Sequence, residues 1–114
     1  MQSIKFYDEL PDMEFTAGDT LKTFVVEANM DLRGTRMFVI LARKTNPVEE
    51  VLSVECTLVN DRTYKVQLTS AHTKGLSEGL YEMHFSLRAP DGINHYDKLR
   101  GDVYVHAAGG DANG

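Results

Sequence analysis

The sequence predicts an all-β protein, an antiparallel β-sandwich of about seven strands. Most of the chain alternates apolar and polar residues with period two, which is typical of strands with one buried face. Clusters of Gly, Pro, Asp and Asn separate these runs at regular intervals, and only residues 70–78 lack a strand pattern. Because strand number does not distinguish a sandwich from a closed barrel, the barrel is the alternative.

The N-terminal third predicts three strands. Residues 1–7 are expected to add a short edge strand, and residues 21–28 are rich in β-forming residues, with Phe24 and Val26 inward. Residues 35–41 are apolar on both faces, which predicts a central strand covered on both sides. A short buried helix is the alternative for this last run.

The middle of the chain predicts a hairpin followed by a short irregular segment. Residues 64–69 alternate with Tyr64, Val66 and Leu68 inward, and the polar turn 60–62 joins them to the apolar run 51–59. Residues 70–78 contain Gly75 and are followed by Gly79, so we expect a single helical turn there at most.

The C-terminal part has the clearest pattern. Residues 80–88 predict a half-buried strand, and residues 89–92 (Ala-Pro-Asp-Gly) predict a turn into the partner strand 93–99. Gly101 interrupts the partner strand and predicts a bulge or bend before residues 103–105 resume it. The inward residues of the first strand are expected to be Tyr81, Met83, Phe85 and Leu87.

Length predicts one domain, which we place at residues 1–106 of the 114. Residues 107–114 contain no large apolar side chain and are expected to form a flexible tail. The first residues lack the apolar stretch of a signal peptide or membrane anchor, so we expect a protein made in the bacterial cytoplasm.

Charge excludes two classes of partner. The chain has 12 Lys and Arg against 17 Asp and Glu, a net charge of -5. Nucleic-acid binders neutralise phosphates with clustered cations, and anionic lipid attracts basic segments. We therefore expect neither nucleic acid nor a membrane surface as a partner.

Cysteine and histidine residues suggest no metal or redox site. Cys56 is the single cysteine, and because it lies in an apolar run without basic neighbours, we interpret it as a buried hydrophobic residue. His72, His84, His95 and His106 have none of the spacings typical of metal ligands. His84 and His95 could approach each other across the C-terminal hairpin, where we interpret them as exposed.

Catalytic motifs are also absent from the sequence. Ser77 lies between two glycines without the spacing of a Gly-x-Ser-x-Gly nucleophile turn, and no phosphate-binding loop occurs. Glu49 and Glu50 are interpreted as solvated loop residues rather than an acid–base pair. We expect no enzyme activity, cofactor or metal, and the sequence assigns no catalytic, cofactor-binding, metal-binding or ligand-binding residue.

Aromatic residues are expected to serve the core for the most part. Tyr96 and Tyr104 are the candidates for stacking on a ligand, although a core or interface role is the simpler interpretation. The inward aromatic residues are expected to be Phe24, Tyr64, Tyr81 and Phe85.

The order of the turn signatures carries a family resemblance. Gly-Asp-Thr at 18–20, Asp-Leu-Arg-Gly at 31–34, Leu-Ser-Glu-Gly-Leu-Tyr at 76–81 and Gly-Asp-Val-Tyr-Val at 101–105 occur in sequence. Over residues 13–106 this series resembles the immunoglobulin-like domains of tailed-phage structural proteins, above all the N-terminal domain of the baseplate upper protein family. Arg33 stands where that family has Thr. Proteins of that family continue beyond this domain, whereas the present sequence contains one domain. We therefore expect either a fragment of a longer protein or a stand-alone protein.

The motif residues have a structural interpretation of their own. Gly18 and Gly34 allow turn dihedrals that other residues avoid. Asp19 and Asp31 can accept hydrogen bonds from turn amides. Tyr81 could bury its ring and bond its hydroxyl to nearby backbone, as the tyrosine corner of immunoglobulin-like domains does. These residues therefore maintain the fold and locate no binding site.

Three functions follow as hypotheses. The resemblance implies a structural or assembly protein of a phage or prophage particle, in its tail, baseplate or neck, that binds other virion structural proteins or further copies of itself. A glycan-binding adhesion module is the second, with Tyr96, Tyr104, His84 and His95 as the nearest candidates. A bacterial immunoglobulin-like interaction domain outside any phage is the third.

Overall fold

Two β-sheets pack face to face in this protein. The structure, a computed structural model, describes residues 2–5, 10–45, 48–90 and 94–108. These residues contain one helical turn, α1 (Ser70–Thr73), and nine strands: β1 (Gln2–Lys5), β2 (Met13–Thr16), β3 (Phe24–Glu27), β4 (Arg36–Arg43), β5 (Glu49–Glu55), β6 (Thr57–Asn60), β7 (Thr63–Val66), β8 (Gly79–Arg88) and β9 (Asn94–His106).

The strand order confirms the predicted sandwich. One sheet has the order β1-β3-β7-β6 and the other the order β2-β9-β8-β4-β5. Both sheets are mixed rather than purely antiparallel, because β1 runs parallel to β3 and β2 runs parallel to β9. Side-chain alternation does not encode the direction of a neighbouring strand, so the sequence did not distinguish the two arrangements. The edge strand expected within residues 1–7 is β1.

The inward faces of the two sheets form a shared core. Phe24 of β3 and Phe85 of β8 meet across the sandwich edge to face, with ring centroids 6.4 Å apart. The side chains predicted to point inward are all buried: Phe24, Val26, Tyr64, Val66, Leu68, Tyr81, Met83, Phe85 and Leu87.

The apolar run 51–59 forms two strands, so the prediction of a single strand was wrong. β5 ends before Cys56 and β6 begins after it, and the Cys56 amide donates to the Met37 carbonyl oxygen at 2.8 Å. The chain passes here from one sheet to the other, which makes β5 and β6 edge strands on the same side of the sandwich. The predicted hairpin across residues 60–62 is confirmed, because β6 pairs antiparallel with β7.

β4 lies between β8 and β5, one position from the edge rather than at the centre of its sheet. Its outer face is apolar, and Ile40 and Ala42 are buried there. The guanidinium groups of Arg36 and Arg88 lie over the Phe38 ring, 5.2 and 4.7 Å from its centroid. The outer face of β4 is therefore covered by side chains of its own sheet rather than by another layer of the fold.

Gly101 makes room for a neighbouring segment and does not form the predicted bulge. It pairs with Met83, and the register shift between β8 and β9 lies between His84 and Ser86. A Cβ at position 101 would lie 2.7 Å from the Leu10 Cβ and 2.8 Å from the Leu10 carbonyl oxygen. The missing side chain lets the backbone at Leu10 approach β9, where its amide donates to a carbonyl oxygen at 3.2 Å.

The turn residues of the family resemblance have their predicted structural roles. Gly18 and Gly34 have φ values of 94° and 82°, in the left-handed region. The Asp19 carboxylate accepts the backbone amide three residues earlier at 3.1 Å. The Asp31 carboxylate accepts the Arg33 amide at 3.0 Å. Side-chain oxygens thus hold both turns, as predicted.

Arg33, the departure from the family pattern, reinforces its turn. Its Nη2 lies 2.6 Å from Oδ2 of Asp31, and its Nε donates to both carboxylate oxygens. These side-chain hydrogen bonds lower the pKa of Asp31 to about 2. Because both side chains are exposed, the pair orients the turn and contributes little to stability.

The segment 70–78 contains the expected single helical turn, α1. Thr73 at its end is fully buried. Its hydroxyl donates to the Asp19 carbonyl oxygen at 2.7 Å and accepts the Gly18 amide at 3.0 Å. This polar contact attaches α1 to the turn that follows β2.

Some predictions fall outside the described residues. Residues 91–93 of the predicted turn and the tail beyond residue 108 are among them, so the domain boundary at residue 106 stays a prediction. The hairpin itself is confirmed, because β8 pairs antiparallel with β9 from Arg88 and Asn94 onward.

We predict that Tyr81→Phe destabilises the fold. The Tyr81 hydroxyl donates to the Ser77 carbonyl oxygen at 2.7 Å from a side chain that is 1% exposed. Removing it should lower the free energy of unfolding by about 1–2 kcal/mol in urea titrations. Tyr104→Phe is the control, because its exposed hydroxyl lies 3.4 Å from Glu78, and the expected loss is below about 0.5 kcal/mol. If both variants lost the same free energy of unfolding, the buried hydrogen bond of Tyr81 would not be the stabilising contact.

A second pair of variants tests the close approach at β9. Gly101→Ala should lower the free energy of unfolding by about 1–3 kcal/mol, because the new methyl group collides with Leu10. Gly75→Ala is its control, since no atom lies within 4 Å of a Cβ there. That change should be neutral or stabilise the fold by up to about 1 kcal/mol. If the two variants unfold at the same temperature, the close approach of Leu10 to Gly101 does not limit the size of the residue at position 101.

Candidate interaction surfaces

Cys56 is the buried hydrophobic residue that the sequence predicted. Its side chain is 7% exposed, between β5 and β6. Burial raises the pKa of the thiol to about 12, because the interior disfavours the charged thiolate. The residue therefore serves the core at the point where the chain changes sheets.

The histidines lie on three elements: His72 on α1, His84 on β8, and His95 and His106 at opposite ends of β9. His72 Nδ1 accepts the amide at the start of α1 at 3.0 Å, and His106 Nε2 lies 3.2 Å from a β2 carboxylate. His84 Nδ1 lies 3.7 Å from the Glu82 carboxylate. His84 is partly buried rather than exposed as predicted. The register pairs His84 with Arg100 and His95 with Leu87, so the two histidines are not opposite each other in the hairpin. The side chain of His95 is outside the described set. Within the described residues, no group of three or more His, Cys, Asp or Glu is placed to hold a metal ion.

Glu49 and Glu50 are exposed, as predicted, but they lie at the start of β5 rather than in a loop. β5 carries a third glutamate, Glu55, whose carboxylate accepts two hydrogen bonds from Arg36 at 3.0 and 2.9 Å. The β5 edge is therefore acidic.

Tyr104 is the exposed tyrosine among the described side chains, at 38%. Its ring lies 5.0 Å from that of His106 at an interplanar angle of 64°, so the two rings do not form a flat stacking surface. Tyr96 has no described side chain. Ligand stacking on either tyrosine stays a prediction, whereas the predicted core aromatics are buried.

The side of the sandwich formed by β5 and β6 exposes apolar residues. Val51 and Val59 are 38% and 50% exposed, and each is the residue skipped where its strand shifts register against its neighbour. Such bulges bend an edge strand and disfavour addition of another strand. We call this surface the bulged side.

A polar depression of about 210 Å³ lies on the outer face of the five-stranded sheet. Phe38 and Ile40 line its base, and Nδ1 of His84 is buried without a hydrogen-bond partner in the described part of the chain. Its polar lining consists of Glu50, Ser53, His84, Ser86 and Arg88.

Two further cavities adjoin β2, and Met13 and Glu14 line both of them. The first, which we call the acidic cavity, has a volume of about 410 Å³ and is lined by Asp12, Met13, Glu14, Leu80, Asp102 and Tyr104. The second, which we call the inter-sheet cavity, has a volume of about 240 Å³ and is lined by Met13, Glu14, Phe15, Leu21, Lys22 and Phe24.

Sequence reasoning missed these cavities, although part of the signal was present. The alternation that directs Tyr81 inward also directs Leu80 outward, and Leu80 is 47% exposed. Tyr104 stands outward between two buried valines for the same reason. Of the carboxylates beside them, Asp102 is on β9, Glu14 is on β2 and Asp12 directly precedes β2, a strand that the sequence did not predict.

No helix in the described ranges is long and apolar enough to cross a membrane. The helical structure described there is the four-residue turn α1.

The buried thiol gives a testable pH dependence. Native Cys56 should react with a thiol reagent far more slowly than the unfolded chain. The unfolded thiol ionises near its ordinary pKa of 9.0, while the folded thiol stays protonated up to about 12. Unfolding then releases a proton between these pH values, so stability falls as pH rises through that window. In Cys56→Ala, the free energy of unfolding should no longer fall with pH through this window. Equal rates of thiol labelling for the folded and the unfolded protein would contradict the burial of Cys56.

Comparison with known proteins gives a fold relationship. No family model and no curated protein matches the chain. Among solved structures, the N-terminal domain of phage TP901-1 ORF48 is similar, with a TM-score of 0.51 over 91% of this chain and 94% of that chain. The two sequences are 15% identical, so the likeness shows the fold alone. The chain is thus similar in fold to a domain of a phage protein.

Proposed function

We propose that this chain is a non-enzymatic structural protein of a phage or prophage particle, in its tail, baseplate or neck. The fold similarity over nearly the whole chain to a domain of a phage protein carries the proposal. The ordered turn signatures give separate support, because they suggested tailed-phage structural domains from sequence alone. The protein would act in the virion after synthesis in the bacterial cytoplasm.

The proposed mechanism is binding through protein–protein interfaces. A sandwich with a shared buried core presents its outer faces and strand edges as fixed surfaces. The partners would be other virion structural proteins or further copies of the chain. Pairing or covering of strand edges in a particle would also protect them from uncontrolled association.

Glycan binding is the alternative, and the described side chains favour it less. Sugar recognition needs exposed aromatic faces with polar groups in a groove. Tyr104 is exposed, but its ring is inclined at 64° to the His106 ring and its hydroxyl is directed to Glu78 at 3.4 Å. The polar depression contains Phe38, but two arginine side chains cover that ring.

We predict that the chain is a component of purified particles. Phage production would be induced in the organism that encodes it, and particles would be banded in a density gradient and analysed by mass spectrometry. Peptides of this chain should co-band with capsid and tail proteins and remain after a high-salt wash. An abundant cytosolic protein serves as the control for trapped contaminants. The proposal fails if the chain is expressed in the lysate yet absent from the banded particles.

A further inference from the structure

The edge strands differ in how open they are to another strand. Among the described residues, β1 and β2 form the edges on one side of the sandwich, and β5 and β6 form the bulged side. β2 pairs with β9 through four consecutive residues without a register shift. An unbulged edge strand presents regularly spaced backbone groups to an incoming strand.

Hydrogen bonds show which backbone groups of β2 face outward. The Ala17 amide donates to the His106 carbonyl oxygen at 3.0 Å, so residues at alternate positions before it point toward β9. The amides of Glu14 and Thr16 then point away from β9. The Thr16 amide donates to the Asp19 carboxylate at 3.1 Å, which agrees with this direction and closes that end of the edge. The Thr16 carbonyl oxygen also accepts the Asp19 amide, at 3.0 Å. Among the described residues, Glu14 therefore presents the open backbone groups of β2.

The acidic cavity, on the outer face of the five-stranded sheet, favours a partner with positive charge at that position. Carboxylates of Asp12, Glu14 and Asp102 line it. Lys44 pairs with Asp102 at 2.9 Å, and His106 Nε2 lies 3.2 Å from the Glu14 carboxylate. The exposed side chain of Leu80 adds an apolar wall that suits the methylene groups of lysine or arginine.

The inter-sheet cavity sets a second requirement, on the side of β2 where Phe15 lies. Met13 and Phe15 line it from β2, Phe24 lines it from β3, and Leu21 lines it from the segment before β3. Glu14 and Lys22 complete the lining. Its lining is mainly apolar, so an aliphatic side chain entering here would extend the core between the sheets.

We propose that β2 is an addition site for an extended segment of another protein in which basic and apolar residues alternate. Successive side chains of an added strand point to opposite faces, so an apolar residue would enter the inter-sheet cavity and the next residue would lie over the acidic cavity. Lysine and arginine are long enough to cross the strand spacing of about 4.8 Å and reach the carboxylates. The site deepens the proposed structural role and rests on it for its biological setting.

Charge argues against a second copy of this chain as the occupant. Its edge strand β5 carries Glu49, Glu50 and Glu55, which would repel the acidic cavity. Strand β6 has no charged residue, and β2 itself carries Glu14. Strand β1 carries one lysine, Lys5, whose Nζ already pairs with Glu27 at 2.7 Å. The occupant is instead a basic, alternating segment of a different protein.

The test uses the full chain, labelled with ¹⁵N, and two short capped peptides. One peptide alternates valine with lysine, and the matched peptide alternates valine with glutamate. The valine–lysine peptide should shift the amide signals of residues 13–16 and of Leu80 and Tyr104 in NMR titrations, and the valine–glutamate peptide should not. Shifts confined to the bulged side, equal shifts with both peptides, or no shift at millimolar concentration would each overturn the proposal.

Variants at Glu14 separate backbone pairing from charge. Glu14→Gln removes the carboxylate and keeps the amide, whereas Glu14→Pro removes both, so weaker binding by Glu14→Pro than by Glu14→Gln reports the backbone contribution. The amide that proline removes points away from β9, so β2 keeps its pairing with β9. Glu14→Lys should weaken binding of the valine–lysine peptide by about fivefold, and Glu50→Lys on β5 makes the same charge change with no effect. If Glu14→Lys and Glu50→Lys weakened binding equally, the peptide would be responding to the net charge of the protein rather than to β2, and the proposal would be overturned.

This test and the particle test fail in different ways. If the peptide does not bind but the chain is present in banded particles, the structural role stands and its interface lies elsewhere. If β2 binds the peptide but particles lack the chain, the addition site stands and the virion setting is wrong.

Discussion

Burial of the inward face of β8 is the constraint on which the rest of the structure depends. β8 is the middle strand of the five-stranded sheet, and its four inward side chains are each at most 1% exposed. A register slip of one residue would move all of them to the outer face. Pairing of β8 with β4 and β9 is therefore fixed, and with it the position of every outward residue on these strands.

The surfaces follow from that fixed register. Because Tyr81 is inward, Leu80 is outward and lies beside Tyr104 and Asp102 of β9 in the acidic cavity. Because Phe85 is inward, Ser86 and His84 are outward and line the polar depression. A fold maintained by apolar packing thus fixes the positions of the polar side chains on its outer faces as well.

The edge strands on the two sides of the sandwich differ in the regularity of their pairing. On the bulged side, Val51 and Val59 mark interruptions that disfavour strand pairing. On the other side, β2 is unbulged and adjoins two cavities of different chemistry. In a virion component, this asymmetry would leave one side for specific strand addition and protect the other from uncontrolled self-association.

The sequence by itself determined the class of fold, the inward residues of β3, β7 and β8, and the turn roles of Asp19 and Asp31, because these depend on neighbours within a few residues. Only the tertiary structure decided that the chain changes sheets at Cys56, that β1 runs parallel to β3 and β2 to β9, and that Gly101 accommodates Leu10. It also brought Glu14 and Asp102, 88 positions apart in the sequence, into one cavity. Strand direction, sheet membership and such contacts depend on distant segments, and alternation along one strand carries no record of them.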